Sequence, residues 1–250
     1  KMIHENGLKT NLNIHPAQGV RFFEDSYVEF AKHMGIDEKN KEPIDFDFTD
    51  KSFIEGYFKY INSPMEKEGV DFWWIDWQQG SRSKIEGLDP LWLLNHYYCL
   101  DRQSKGLRPL TLSRFAGFGS HRYPLGFSGD TAIKWSVLDF QPYFTATAAN
   151  AGYCWWSHDI GGHNFGKLSD ELYLRWVQFG VFSPIMRFHS ANVARKSKEP
   201  WKFGGEAERI TKKFLRLRHR MIPYTYTMNR LVEKEGRPLI MPMYYAYPNR

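Results

Sequence analysis

Two aspartates in the chain are of a type and placement that could do chemistry as a pair. Asp76 follows the aromatic run Asp71-Phe72-Trp73-Trp74-Ile75 and precedes Trp77. A carboxylate held among rings loses solvation energy unless it is paired or used. An ion pair, with Arg114 as a candidate partner, is one reading, and chemistry is the other. Asp130 lies in Phe127-Ser128-Gly129-Asp130-Thr131, where the glycine permits a tight loop. The plain reading of Asp130 is an N-cap for the segment running through Trp135, a position that favours Asp. As a pair the two offer more. Cleavage of a glycosidic bond uses one carboxyl to attack the anomeric carbon. A second protonates the leaving oxygen and later deprotonates water; in retaining enzymes the two stand about 5–5.5 Å apart. The sequence leaves the separation open but puts both on loops that could converge over one barrel mouth.

Other chemistries fit less well. His158-Asp159 with His163 and His189 supplies metal-ligand types, but not at the helical H-E-x-x-H spacing, and no metal is expected. No G-x-S-x-G elbow supports acyl transfer. Gly161-Gly162 lacks the following Lys-Ser/Thr of a phosphate loop. Cys99 and Cys154 have no paired spacing and read as buried thiols. The net charge of +6 is scattered, apart from Lys212, Lys213, Arg216, Arg218 and Arg220, a solvated helix face by its pattern. Basic and aromatic residues do not interleave, so no nucleic-acid partner is expected. No run approaches the roughly 18 apolar residues of a membrane span. With 17% aromatic residues the chain is far from a disordered composition. Core packing accounts for most of those rings, and sugar-binding clefts also favour them.

The elements that must position these residues alternate. Strand candidates are Lys9–Ile14, Val70–Ile75, Pro109–Ser113, Gly152–Ser157, Pro184–Phe188 and Pro238–Tyr244, each ending in polar or glycine-rich residues. Helical spacing separates them. Phe53, Tyr57, Phe58 and Ile61 share a face after a possible N-cap at Thr49. Ile210, Phe214, Leu217 and Met221 form another stripe, with Pro223 a kink or stop. Strands separated by helices predict a parallel α/β sheet. Six such strands fit a (β/α)8 TIM barrel lacking its first two units, with residues 1–250 as part of one domain. A doubly wound sheet is the rival, without a glycine-rich loop after its first strand. Function in such a barrel sits where strands end, and Asp76, Arg114, Asp159 and His189 each close or follow an apolar run.

Five motifs in order resemble glycoside hydrolase family 31, from about Ile14 to Pro248. Trp74-Ile75-Asp76 resembles the W-I-D nucleophile motif of the fourth barrel strand. Ser113-Arg114-Phe115-Ala116-Gly117 through Gly129-Asp130 resembles the R-x-x-x-G…G-D segment. Its aspartate is the acid/base, and its arginine, sixteen positions earlier as here, binds the sugar. His158-Asp159-Ile160-Gly161-Gly162 resembles G-A-D-I-x-G, whose aspartate holds sugar hydroxyls. Met186-Arg187-Phe188-His189 resembles R-N-H, whose histidine does the same. Leu217-Arg218-His219-Arg220-Met221-Ile222-Pro223-Tyr224-Thr225-Tyr226 resembles the L-R-x-x-L-x-P-Y-x-Y helix.

The resemblance implies a (β/α)8 fold and retaining hydrolysis of a terminal α-linked sugar, without a cofactor. Asp76 would be the ionised nucleophile, its acidity set by Arg114, and Asp130 the acid/base, which needs a raised pKa. Trp74, Trp77, Arg114, Phe127, Asp159, His163, Arg187 and His189 would bind the sugar. The chain departs from the common α-glucosidases of the family. Trp77-Gln78-Gln79 replaces their M-N-E, Phe127 stands for a Trp, His163 for an aromatic and Phe188 for an Asn. The stretch between the two aspartates is also shorter than in many of them. α-Glucosidase is the leading expectation. α-N-Acetylgalactosaminidase, α-galactosidase, α-xylosidase or an α-transglycosidase stays open beside it, as does a carbohydrate-binding module without turnover. The chain opens at Lys1 in mid-pattern, without a visible leader, so its expected partners are an oligosaccharide or glycoside and the rest of a longer parent chain. That remainder would supply the missing strands and flanking β domains. The expected setting is soluble, cytoplasmic or secreted, with no membrane partner.

Overall fold

The computed structural model describes residues 2–115, 117–123, 125–193 and 197–249 of the 250-residue chain. Lys1 and the motif residue Ala116 lie outside them. The chain forms two compact units, Lys1–Pro124 and Leu125–Arg250.

In the first unit a short helix α1 (Met2–Glu5) precedes strand β1 (Asn11–Ile14). Helices α2 (Tyr27–His33), α3 (Lys51–Gly56) and α4 (Ser63–Glu68) follow, then β2 (Phe72–Ile75), α5 (Pro90–Ser104) and β3 (Thr111–Ser113). The strands pair in parallel, with Leu12 opposite Trp73, Ile14 opposite Ile75, and Ile75 opposite Ser113. Each is shorter than its sequence signal, because Lys9, Val70 and Pro109 flank the ladder without joining it. Alternation along β2 separates two faces. Trp73 and Ile75 enter a core with Phe30, Phe48, Phe53, Leu94 and Tyr98. Burying such a side chain contributes about 1.5–3 kcal/mol. Asn13, Trp74 and Leu112 fall on the opposite face.

The predicted Phe53 stripe forms, but its helix is not uniform. Between α3 and α4 the backbone widens into a π-helical turn, Tyr57–Asn62, which brings both Tyr57 and Phe58 against the Phe48 ring. The N-cap is Asp50, whose carboxylate accepts from Ser52 N–H at 2.8 Å. Thr49 does not cap, because its own N–H and hydroxyl both donate to Asp47 Oδ1, at 2.9 and 2.5 Å.

The second unit runs β4 (Gly126–Phe127), α6 (Trp135–Ala148), β5 (Trp156–Ser157), α7 (Asp170–Phe182), α8 (Gly205–Arg220) and α9 (Ile222–Glu235). Phe127 pairs in parallel with Ser157. Pro184–Phe188 makes two isolated parallel bridges, Ser157 to Ile185 and Ile160 to Phe188, instead of a continuous strand. Ile133, Leu138, Ile160, Tyr173, Trp176 and Val177 form the core. Ser169 caps α7, its hydroxyl accepting from Leu172 N–H. The α8 stripe packs Phe214 against this core, and the helix ends at Arg220, just before Pro223 opens the next one. Arg218 is not part of a solvated face. Its guanidinium donates to the carbonyls of Val181, Ser183 and Pro184, at 2.9, 2.6 and 2.8 Å, and so caps the C-terminal end of α7.

The C-terminal segment and one cysteine also depart from expectation. Pro238–Tyr244 forms no strand among the described residues and leads into a single 3-10 turn, Met243–Tyr245. Pro238 and Pro242 remove two of the N–H groups a ladder would need. Cys99 is buried as expected, but Cys154 is only partly so, and neither is in a disulfide.

Candidate active site

The first unit builds its polar cluster at the ends of β1, β2 and β3. Asp76 directly follows β2, and its N–H extends the ladder to Ile14 O at 3.0 Å. Alternation puts its side chain on the face of Trp74 and Asn13. Arg114 directly follows β3, and its Nε donates to Asp76 Oδ1 at 2.5 Å. Asn13 donates to Oδ2 at 3.2 Å and Gln78 to Oδ1 at 3.3 Å. His15 Nε2 stands 3.7 Å from Oδ2. Asp76 is 5% exposed. Burial pushes its carboxyl up. The Arg114 and Asn13 hydrogen bonds, the Arg114 charge and Gln78 outweigh that and hold it below the ordinary carboxylate range. The predicted partnership of Asp76 and Arg114 is therefore present, and it leaves an ionised carboxylate with fixed oxygens. Trp77 differs. It is 8% exposed, packs with Phe46 in the core and donates its indole N–H to Gly80 O at 2.7 Å. The period of two that sets Asp76 beside Trp74 sends Trp77 to the packing face.

The second unit gathers the rest. Ser157 and Asp159 share one face, and Trp156, His158 and Ile160 share the other. Asp159 is fully buried. Arg187 Nη2 donates to its Oδ1 at 2.5 Å, and Thr131 N–H approaches Oδ2 at 3.4 Å. Arg187 also donates from Nε to Ser157 Oγ at 2.9 Å, and its guanidinium lies 5.3 Å from the centre of the Phe127 ring. A cation over an aromatic face adds about 0.5–2 kcal/mol. His163 stands 3.7 Å from Asp130 Oδ2 through Nε2, and 3.9 Å from Asp159 Oδ2 through Nδ1. The His163 and His189 rings are 4.8 Å apart. Burial first, with repulsion from Arg187 and His163, lowers His189 to about 4 despite Asp159 and Asp130. His189 is thus a neutral imidazole at pH 7, able both to donate and to accept.

Asp130 does not cap a helix. The helix after it starts at Trp135, with Lys134 at the cap position and no side-chain cap. His158 leaves the polar group altogether. It is fully buried, bonded to Gln141 Oε1 at 2.7 Å and to Thr145 Oγ1 at 3.2 Å. Burial, with Arg187 nearby, lowers it to about 3. One oxygen each of Asp130 and Asp159 and one nitrogen of His163 lie within 4.8 Å of one another, as a small cation site would require. The guanidinium of Arg187 already neutralises Asp159 there.

Sequence reasoning missed Asn13, Gln78, His15 and Ser157 as partners of the named groups. Asn13 did carry a signal. Asparagine is depleted in strands, so an Asn11-x-Asn13 pattern on β1 marks a face with polar work.

In each unit, a carboxylate and a guanidinium group lie where parallel strands end, the position that carries function in β/α barrels. Residues 1–228 match the model of the glycosyl hydrolases family 31 TIM-barrel domain. The chain belongs to glycosyl hydrolase family 31. It is 33% identical over 155 residues to alpha-glucosidase 2 of Bacillus thermoamyloliquefaciens, covering 61% of this chain and 19% of that protein. It is 26% identical over 270 residues to the alpha-xylosidase of Saccharolobus solfataricus, covering 96% of this chain and 35% of that protein. In structure it is similar to the cycloalternan-degrading enzyme from Trueperella pyogenes. The TM-score is 0.78 at 20% identity, over 98% of this chain and 40% of that one. A second similar structure is an alpha-xylosidase from a soil metagenome complexed with xylose. There the TM-score is 0.77 at 22% identity, over 100% of this chain and 44% of that one. The chain spans less than half the length of each of these relatives. No helix among the described residues is long and apolar enough to cross a membrane.

Proposed function

We propose that the chain is the catalytic barrel segment of a retaining α-glycosidase that acts on terminal α-linked sugars by double displacement. Asp76 attacks the anomeric carbon. Asp130 gives its proton to the leaving oxygen, then takes one from the water that releases the sugar. Asp159, His189 and Arg187 hold hydroxyls, and these bonds strengthen as the ring flattens toward the oxocarbenium state. Trp74 walls the sugar, Arg114 fixes Asp76 and meets the sugar, and Phe127 supports Arg187. Trp77 acts by packing.

The observation that carries the proposal is Asp76: a buried carboxylate held ionised by Arg114, with both oxygens bonded, at the end of an aromatic strand. A nucleophile needs that state, and a purely structural aspartate would not need Trp74 beside it. The names of the relatives, alpha-glucosidase and alpha-xylosidase, support an α-linked substrate. We take an α-glucoside as the leading one. The test is a screen of nitrophenyl α-glycosides on the full protein, with Asp76→Ala as control. Turnover of one α-glycoside, abolished in Asp76→Ala, is expected. Substantial activity surviving that change would refute the nucleophile assignment, and wild-type turnover of another sugar only would replace the glucoside.

A further inference from the structure

Two glycines turn His163 back onto the loop that carries Asp130. Gly161 and Gly162 have φ of 91° and 76°, the left-handed region that glycine enters at little cost. A Cβ on Gly162 would stand 2.9 Å from both Ala132 O and Ile133 Cα, so this approach also needs the missing side chain. The two loops then lock through their backbones. His163 N–H donates to Thr131 O at 2.7 Å, and Ile133 N–H to Asn164 O at 2.8 Å. Ala132 and Asn164 form a parallel bridge. The segment next to Asp130 is therefore pinned by the residue pair that begins with His163.

The imidazole continues that clamp. It stands between two carboxylates, 3.7 Å from Asp130 Oδ2 and 3.9 Å from Asp159 Oδ2, with His189 against its ring. The groups facing it are thus Asp130, Asp159 and His189, with Arg187 behind Asp159. Its Nδ1 is buried and makes no hydrogen bond among the described residues. The Asp130 side chain is 39% exposed, so water competes for its carboxyl until a substrate covers it. Catalytic hydrogen bonds that are long in a free site tighten once substrate excludes water.

We propose that His163 is a positioning residue for Asp130, holding Oδ2 of that carboxyl so that the other oxygen is aimed at the departing glycosidic oxygen. The inference rests on the acid/base role proposed above. His163 exchanges no proton in this scheme. The proton leaves Asp130 for the leaving group and returns from water. Fixing one oxygen matters most when the leaving group is poor, because proton transfer then limits bond cleavage.

The experiment is a cycle in the full protein with two aryl α-glycosides of the same sugar, one nitrophenyl and one phenyl. In His163→Phe, KM is expected near the wild-type value. kcat/KM should fall about tenfold for the phenyl glycoside and about twofold at most for the nitrophenyl one. His163→Asn keeps an N–H donor and should recover most of the loss. In an Asp130→Ala background, His163→Phe should change nothing further, since residues acting as a unit are not additive. A residue that merely walls the sugar would raise KM for both substrates alike and keep its full effect in that background. Either outcome overturns the proposal. If His163→Phe does not fold, His163→Ala takes its place in the same cycle. Equal losses for both substrates in Asp130→Ala alone would instead show that the acid/base role has failed.

Discussion

Replacing Arg114 with methionine keeps the side-chain stem and removes the guanidinium. Unit charges about 4 Å apart at an effective dielectric near 20 attract by about 4 kcal/mol. The cost of burying Asp76 opposes this. Asn13 and Gln78, at 3.2 and 3.3 Å, remain as donors. Each donates to a charged acceptor and contributes about 1.5–3 kcal/mol. With that attraction gone, only these two donors oppose burial, so the Asp76 carboxyl should rise from its lowered position. Attack needs the ionised form, so the acidic limb of kcat/KM against pH should move up with it. A direct loss of sugar binding would appear as a pH-independent rise in KM. Stability gives a second reading. A carboxyl held below its unfolded value contributes stability above that value, about pH 3.9, and loses it as pH falls through the folded one. Arg114→Met should therefore lower the thermal midpoint at pH 7 and do so far less at about pH 3. An acidic limb that stays in place, with equal destabilisation at both pH values, would refute the reasoning.

Two further outcomes follow from the same geometry. Asp130→Ala should cost about 10²–10⁴ in kcat/KM on phenyl glycosides and much less on dinitrophenyl glycosides, measured as a leaving-group series; equal losses would count against the acid/base role. The buried histidines set acid sensitivity: His158 is lowered to about 3 and His189 to about 4. For a base whose folded value is lowered, the unfolded chain binds more protons, so stability falls as pH drops from about 6.5 towards those values. Thermal midpoints between pH 7 and 4 should show this, and His158→Gln should flatten the slope; an unchanged slope would mean that His158 does not titrate on unfolding.

Much of this was legible in the chain itself. The Asp76–Arg114 pair could be named because each follows a compact β-rich run, and parallel register then sets them side by side. The Phe53 and Ile210 stripes were legible because helical period survives a π-turn or a proline break. β4 was not, since a two-residue strand, Gly126–Phe127, has no period to detect. Pro238–Tyr244 misled for the opposite reason: an apolar run bounded by prolines looks like a strand until a partner is required. The core position of Trp77 was not legible because alternation was not carried past the strand end. One residue of slip moves a side chain to the other face. Arg218 lay hidden in a basic cluster, and only the end of α7 explains it.

During turnover Asp76 should become covalently bonded to the sugar. A fluorinated α-glycosyl fluoride, which slows breakdown of the glycosyl-enzyme more than its formation, can trap that species in the full protein for mass spectrometry of the intact chain and its peptides. One sugar per protein, on the peptide containing Asp76, is the expected result. Label on another carboxylate, or an active enzyme that takes up none, would contradict it.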